Sequence, residues 1–179
     1  MFRVTKRYAV ALLGQDRPGI VASLTQVLLD LGCNVEDVST SILRGHFAIM
    51  LIAAGSESLD LDQVRVALDR LDQDSGFTTA VWEVTGDLTS NAATHVLTVY
   101  GPDQAGIVHA VAAVAGKMGA NISDMTCRLH DQPEPTYVLT AELQLPDEVS
   151  EDQFAAAITP AVEALGFRSS LRSVEAAEF

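Results

Sequence analysis

One stretch of this chain occurs twice. Gly14-Gln15-Asp16-Arg17-Pro18-Gly19-Ile20-Val21 returns as Gly101-Pro102-Asp103-Gln104-Ala105-Gly106-Ile107-Val108. Each copy closes an apolar run and opens an amphipathic one, so each reads as a turn from a strand into a helix. Other landmarks recur with it. Gly32-Cys33-Asn34-Val35-Glu36-Asp37 matches Gly119-Ala120-Asn121-Ile122-Ser123-Asp124, and Gly76-Phe77 matches Gly166-Phe167. The offset is 87 residues through the first half of the unit and 90 through the second. A chain that repeats a whole unit in this way folds as two copies of one small domain. The copies span residues 1–86 and 95–179, joined by a polar, small-residue linker at 87–94.

The order of elements within a copy follows from periodicity. Tyr8–Leu13 is a short apolar strand. Ile20, Leu24, Val27, Leu28 and Leu31 form one stripe of a helix, which Gly32 ends. Asn34–Ile42 and the continuous apolar run Phe47–Ala54 are strands about a tight Arg44-Gly45-His46 connection. Asp60 and Gln63 resemble a capping box, opening a helix with the stripe Leu61, Val64, Leu68 and Leu71. Phe77–Val84 is the last strand. The second copy supplies His95–Tyr100, the stripe Ile107, Val111, Val114 and Met118, strand Tyr137–Leu143, and a capping box at Ser150 and Gln153. Strand-helix-strand-strand-helix-strand is the ferredoxin-like βαββαβ order. The expected fold is therefore α+β: in each copy, an antiparallel four-stranded sheet with two helices on one face. The three extra residues of the second copy fall at His130–Pro135, where two prolines imply a longer, stiffer loop. Pro160 should make its helix kink or start late, and the tail Glu175–Phe179 should fray.

Composition narrows the functional classes. The formal net charge of −13 argues against direct nucleic-acid binding, which needs Lys and Arg to neutralise phosphates. It also disfavours an anionic membrane surface. No run approaches the ~20 apolar residues of a membrane span. The start, Lys6-Arg7 before six apolar residues, imitates a secretion signal but is too short for one, so the expected location is the cytoplasm. Cys33 and Cys127 do not occupy equivalent positions and read as ordinary thiols. The four histidines, His46, His95, His109 and His130, lie scattered over different elements without ligand spacing, so no metal or other cofactor is expected. There is no Gly-x-Ser-x-Gly elbow, no P-loop and no dinucleotide fingerprint. No catalytic residue can be nominated, and the reading is non-enzymatic.

What remains is the repeated turn. The first amides of a helix lack intrahelical partners and carry the positive end of its dipole, so a carboxylate or phosphate can settle there. Gly19 and Gly106 serve either close helix packing or the approach of a ligand, and the residues leave both open. Asp16 and Asp103 fit helix caps, with Pro18 in the first helical turn. An Asp would also welcome the ammonium of an amino acid whose carboxylate sits on the amides. Arg17, with Gln104 at its equivalent, fits a solvated surface charge. Asn34 and Asn121 fit the end of a turn. Because the first helix runs back along its strand, Gly19 and Asn34 lie at opposite ends of one copy. A neighbouring copy could supply the missing half of a site.

Asp16-Arg17-Pro18-Gly19-Ile20, the helix, Gly32 and Asn34, set in a βαββαβ unit, resemble an ACT domain, and the resemblance covers nearly the whole chain, twice. The second turn departs from the pattern at Ala105, where the first has Pro18. The resemblance implies side-by-side pairing of domains and small-molecule sensing, most often of amino acids, at Asp16, Arg17, Pro18, Gly19, Ile20 and Asn34. The matching positions are Asp103, Gln104, Ala105, Gly106, Ile107 and Asn121. A pair of such domains with no attached catalytic domain resembles the glycine cleavage system transcriptional repressor group. That implies a homo-oligomeric regulator of amino-acid metabolism acting through a protein partner. The alternative is a dimerisation module without a small-molecule ligand.

Overall fold

A computed structural model of the chain describes residues 5–86, 92–130 and 135–174. The chain divides into two units, Met1–Leu88 and Thr89–Phe179. The first contains β1 (Thr5–Gln15), α1 (Ile20–Asp30), β2 (Asn34–Leu43), β3 (His46–Ser56), α2 (Leu61–Ser75) and β4 (Thr78–Val84). Its sheet has the order β2-β3-β1-β4, with every neighbouring pair antiparallel. The helices are amphipathic and cover one face. Ile20, Leu24 and Leu28 of α1 and Val64 and Leu68 of α2 pack on Tyr8, Val10, Leu12, Ile49 and Leu51 of the central strands. Burying one such aliphatic side chain contributes about 1.5–3 kcal/mol, so this layer is what holds so small a unit together.

The second unit repeats the plan with β5 (His95–Gly101), α3 (Ile107–Lys117), β6 (Asn121–His130), β7 (Thr136–Gln144), α4 (Glu151–Glu163) and β8 (Arg168–Ser173). Its order is β6-β7-β5-β8, around a core that includes Leu97, Val99, Val111, Leu139, Phe154 and Phe167. The expected α+β, ferredoxin-like architecture is present in both units. Thr94 is tied to the second unit, since its N–H donates to the Leu143 carbonyl and its own carbonyl accepts from Val174.

Both capping boxes form. Asp60 Oδ1 accepts from the Gln63 amide at 2.8 Å while the Gln63 side chain accepts from the Asp60 amide at 3.0 Å. Ser150 and Gln153 make the same reciprocal pair. That anchored first turn explains why α4 does not start late: it begins at Glu151 and runs through Pro160. The three extra residues are where the offset placed them. Leu43 pairs with His46 across two residues, whereas His130 pairs with Thr136 across five. Within that loop, residues 131–134 lie outside those described, as do most of the linker and the tail 175–179.

Two features were not read from the sequence. Both β2 and β6 carry a register shift at equivalent points, between Val35 and Asp37 and between Ile122 and Asp124, the mark of a β-bulge. In addition, Gly14 is a glycine because of Phe77: a Cβ at Gly14 would run into the ring, with Cδ1 nearest and Cε1 at 3.0 Å. In the second unit a Cβ at Gly101 would meet Phe167 Cδ1 at 2.7 Å and its Cα at 2.9 Å.

Candidate functional site

The strand-to-helix turns are built by a left-handed glycine. Gly19 is the N-cap of α1 at φ 93°, ψ −5°, and Gly106 that of α3 at φ 105°, ψ −12°. L-residues with a Cβ rarely adopt this backbone. Packing does not require the glycine at 19, because a Cβ there would meet nothing within 4 Å. Conformation, with open space above it, accounts for that residue.

This geometry corrects two expectations. Asp16 does not cap α1, and Pro18 is not in its first turn. The helix starts at Ile20, its cap is Gly19, and no side chain bonds to its opening amides. The left-handed turn at Gly19 leaves Asp16 three residues short of the cap. The Asp16 N–H instead donates to the Gly45 carbonyl at 2.9 Å, which ties the turn to the β2–β3 connection. Asp103 likewise does not cap α3, whose Gly106 cap also lacks a side-chain bond. Arg17 is exposed, as a surface charge would be, yet its guanidinium carbon lies 4.6 Å from the centroid of the Phe77 ring, a cation–π contact. With neither side-chain caps nor acidic residues in the first turns of α1 and α3, the positive helix ends remain available to an anion.

In the second unit the turn lines a concavity of about 600 Å³. Asp103, Gln104, Ala105, Gly106 and Ile107 meet there with His109 and Tyr137. Tyr137 was not anticipated, and His109 was noted only as one of four scattered histidines. The signal was present in the repeat: His109 stands where the first copy has Ala22, and Tyr137 where it has Phe47, so two apolar positions became polar. The Tyr137 hydroxyl is pushed above its ordinary ionisation range, chiefly by a hydrogen bond with Cys127, then by burial and by the charges of Cys127 and Asp103. It stays a neutral hydrogen-bonding group at physiological pH. Cys127 thus has a specific neighbour beyond its reading as an ordinary thiol.

The structure does not bring Asn34 or Asn121 to these turns within a unit. Asn34 opens β2 opposite Ala54, and Asn121 opens β6 opposite Gln144. Each is separated from its glycine by an 11-residue helix, about 16 Å long. The residues grouped in one place are Asp16 to Ile20 in the first turn and Asp103 to Ile107 in the second. Among the described residues, no group of three or more His, Cys, Asp and Glu could hold a metal ion. Among the same residues, no helix is long and apolar enough to cross a membrane.

A βαββαβ unit with its first helix opened by a glycine turn, found twice, defines a class of fold. The ACT-domain model matches residues 8–81, and the chain belongs to the ACT-domain family. Among curated relatives, it is 35% identical over 71 residues to a UPF0237 protein of Methanopyrus kandleri, covering 39% of this chain and 79% of the relative. It is 38% identical over 66 residues to a UPF0237 protein of Methanosarcina mazei, covering 36% and 72%. Among solved structures, two matches run along nearly the whole chain. An unknown protein from Galdieria sulphuraria has a TM-score of 0.81 at 26% identity, over 96% of this chain and all of that one. A candidate glycine cleavage system transcriptional repressor has a TM-score of 0.73 at 17% identity, over 96% and 99%. The second likeness is one of fold alone.

Proposed function

We propose that this chain is a non-enzymatic regulator whose tandem ACT domains sense an amino acid and pass the signal to a protein partner. The observation that carries the reading is the uncapped start of α3 facing a concavity lined by Asp103, His109 and Tyr137. The amides of Ile107 and Val108 suit an α-carboxylate, Asp103 suits an ammonium group, and Tyr137 supplies a neutral hydroxyl. The equivalent turn at Asp16, Arg17, Pro18, Gly19 and Ile20 offers a second position. Asn34 and Asn121 contribute from a neighbouring domain. Binding favours one domain arrangement, and about 5.5 kcal/mol of differential affinity would move a population from 1:99 to 99:1.

The fold shared with a candidate glycine cleavage repressor supports an output in transcriptional control of amino-acid, and specifically glycine, metabolism. The net charge of −13 favours action through a protein in the cytoplasm over direct contact with DNA. Calorimetry with each amino acid tests the sensing step. Binding by at least one of them, weakened severalfold by Tyr137→Phe, is expected. Absence of heat for every amino acid at millimolar concentration would refute it.

A second reading, a dimerisation module without a small-molecule ligand, is favoured by the apolar outer face of the first sheet. A dimer whose stability no amino acid alters would support that reading over sensing.

A further inference from the structure

The sheet of the first unit has one face under α1 and α2 and another that carries no helix. On that outer face, Ala9, Ala11 and Leu13 of β1 sit in register with Ile52, Met50 and Ala48 of β3. They also oppose Trp82, Ala80 and Thr78 of β4. None of these nine residues is charged, in a chain with 24 acidic residues. Three large side chains stand well out of the surface: Met50 is 58% exposed, Leu13 54% and Trp82 53%. Between them, Ala11, Ala48 and Ala80 help form a trough of about 420 Å³, with Leu13 and Met50 also lining it.

The second unit shows what this surface looks like when it is made for water. Its equivalent face carries Thr98, Thr140 and Ser170 at the centre, with Glu142, Arg168 and Arg172 set among Val96, Tyr100 and Val138. The fold therefore does not require an apolar outer face. The first copy has one for a reason of its own.

We propose that this face binds a second copy of the chain, the two first-unit sheets stacking face to face with Trp82 of each copy entering the alanine-floored trough of the other. Three observations select this occupant. Trp82 lies one rung along the sheet from the Ala11–Ala80 pair, so knob and hole are adjacent on one surface. A two-fold axis between them satisfies both at once, as an isologous interface demands. Next, two chains of charge −13 repel each other over most of their surfaces, and approach is easiest over these nine uncharged residues, with Asp37 of β2, opposite Ile52, at their margin. A basic partner would find little to hold here. Last, four strands at about 4.8 Å spacing and some 25–35 Å long give roughly 500–650 Å² per copy, so two copies bury about 1,000–1,300 Å². That clears the area a specific interface needs, at its lower end, and association in the micromolar range is expected. The surface is distinct from the strand-helix turns, so the test does not depend on amino-acid binding.

Trp82 is the only tryptophan of the chain, so its fluorescence reports on this face. Sedimentation of the full chain over a wide concentration range, read beside tryptophan emission, is the experiment. The expected result is a monomer–dimer equilibrium in which emission shifts to the blue in step with dimer formation. Met50→Lys, and separately Ala80→Glu, should weaken association at least tenfold with unchanged circular dichroism. A monomer at every concentration would overturn the proposal. So would a dimer that forms without a change in Trp82 emission, or one that both variants leave intact, since either would place the contact elsewhere. A blue shift produced by phosphatidylcholine vesicles in a chain that stays monomeric would overturn it in favour of a lipid surface.

Discussion

Gly14→Ala, made with and without the Phe77 ring, gives a sign that no general preference for alanine can reproduce. Gly14 is not among the positive-φ residues, so its backbone tolerates a side chain. In a strand, replacing Gly by Ala on its own should stabilise by about 0.5–1 kcal/mol. Against that, the new Cβ would meet the ring of Phe77, which is 5% exposed and so has little room to move. Overpacking a core in this way costs about 1–3 kcal/mol. The net expectation is a loss of up to about 2.5 kcal/mol. A 2 kcal/mol loss would lower the urea midpoint by roughly 0.7–2 M, for an m-value of about 1–3 kcal/mol/M. In a Phe77→Val background, the two ring atoms nearest the new Cβ are gone. There Gly14→Ala should become neutral or stabilising, a coupling of about 1–3 kcal/mol. Trp82 lies in β4 of the same unit, so its fluorescence follows unfolding of that unit. Equal destabilisation in both backgrounds would refute the packing account of Gly14.

Other perturbations follow from single features. Ser150→Ala removes one half of the α4 capping box and should cost about 0.5–2 kcal/mol, read as a lower melting temperature by circular dichroism. Gly19→Ala should cost about 1–2 kcal/mol from backbone conformation alone, with Gly19→Asn milder; equal stability of all three proteins would argue against the left-handed cap. The buried Tyr8 hydroxyl donates to the Leu59 carbonyl at 2.7 Å and is raised from its ordinary value of 10.0 by burial first, then by Glu83, Cys33 and Asp60. Burial likewise raises Cys33 from 9.0. Both groups ionise first in the unfolded chain, so their contribution is complete below pH 9 and is lost as pH rises through the folded values. Tyr8→Phe should cost about 1 kcal/mol at neutral pH and flatten the alkaline decline, which urea titrations at several pH values would measure.

Much of the fold was legible because it depends on local patterns. The stripe of α1, the run of β3 and the capping boxes at Asp60 and Ser150 each lie within a few residues. The doubled turn then supplied the architecture, since one βαββαβ reading had to serve both halves. The candidate site was legible as a place more than as a geometry. Asp103 to Ile107 do line a concavity, but Asp16 proved to bond its amide to Gly45, across 29 residues of chain. Tyr137 joined that concavity from another strand. No spacing rule within one segment reports such pairings, although comparing the copies flags His109 and Tyr137 as polar replacements for Ala22 and Phe47.

Sequence by itself determined that this is a duplicated α+β chain, acidic, with a glycine-centred turn opening the first helix of each copy. Those properties follow from periodicity, charge and residue type, which need no partner in space. The order of elements also placed Asn34 and Asn121 a helix away from the turns, whereas only tertiary structure decided that the turns are capped by left-handed glycines, that their amides lack side-chain caps, and that the two sheets differ on their outer faces. The make-up of a sheet face depends on which distant residues the strand registers bring together. The nature of a sheet face is decided by pairing across strands, and that pairing is settled when the core closes.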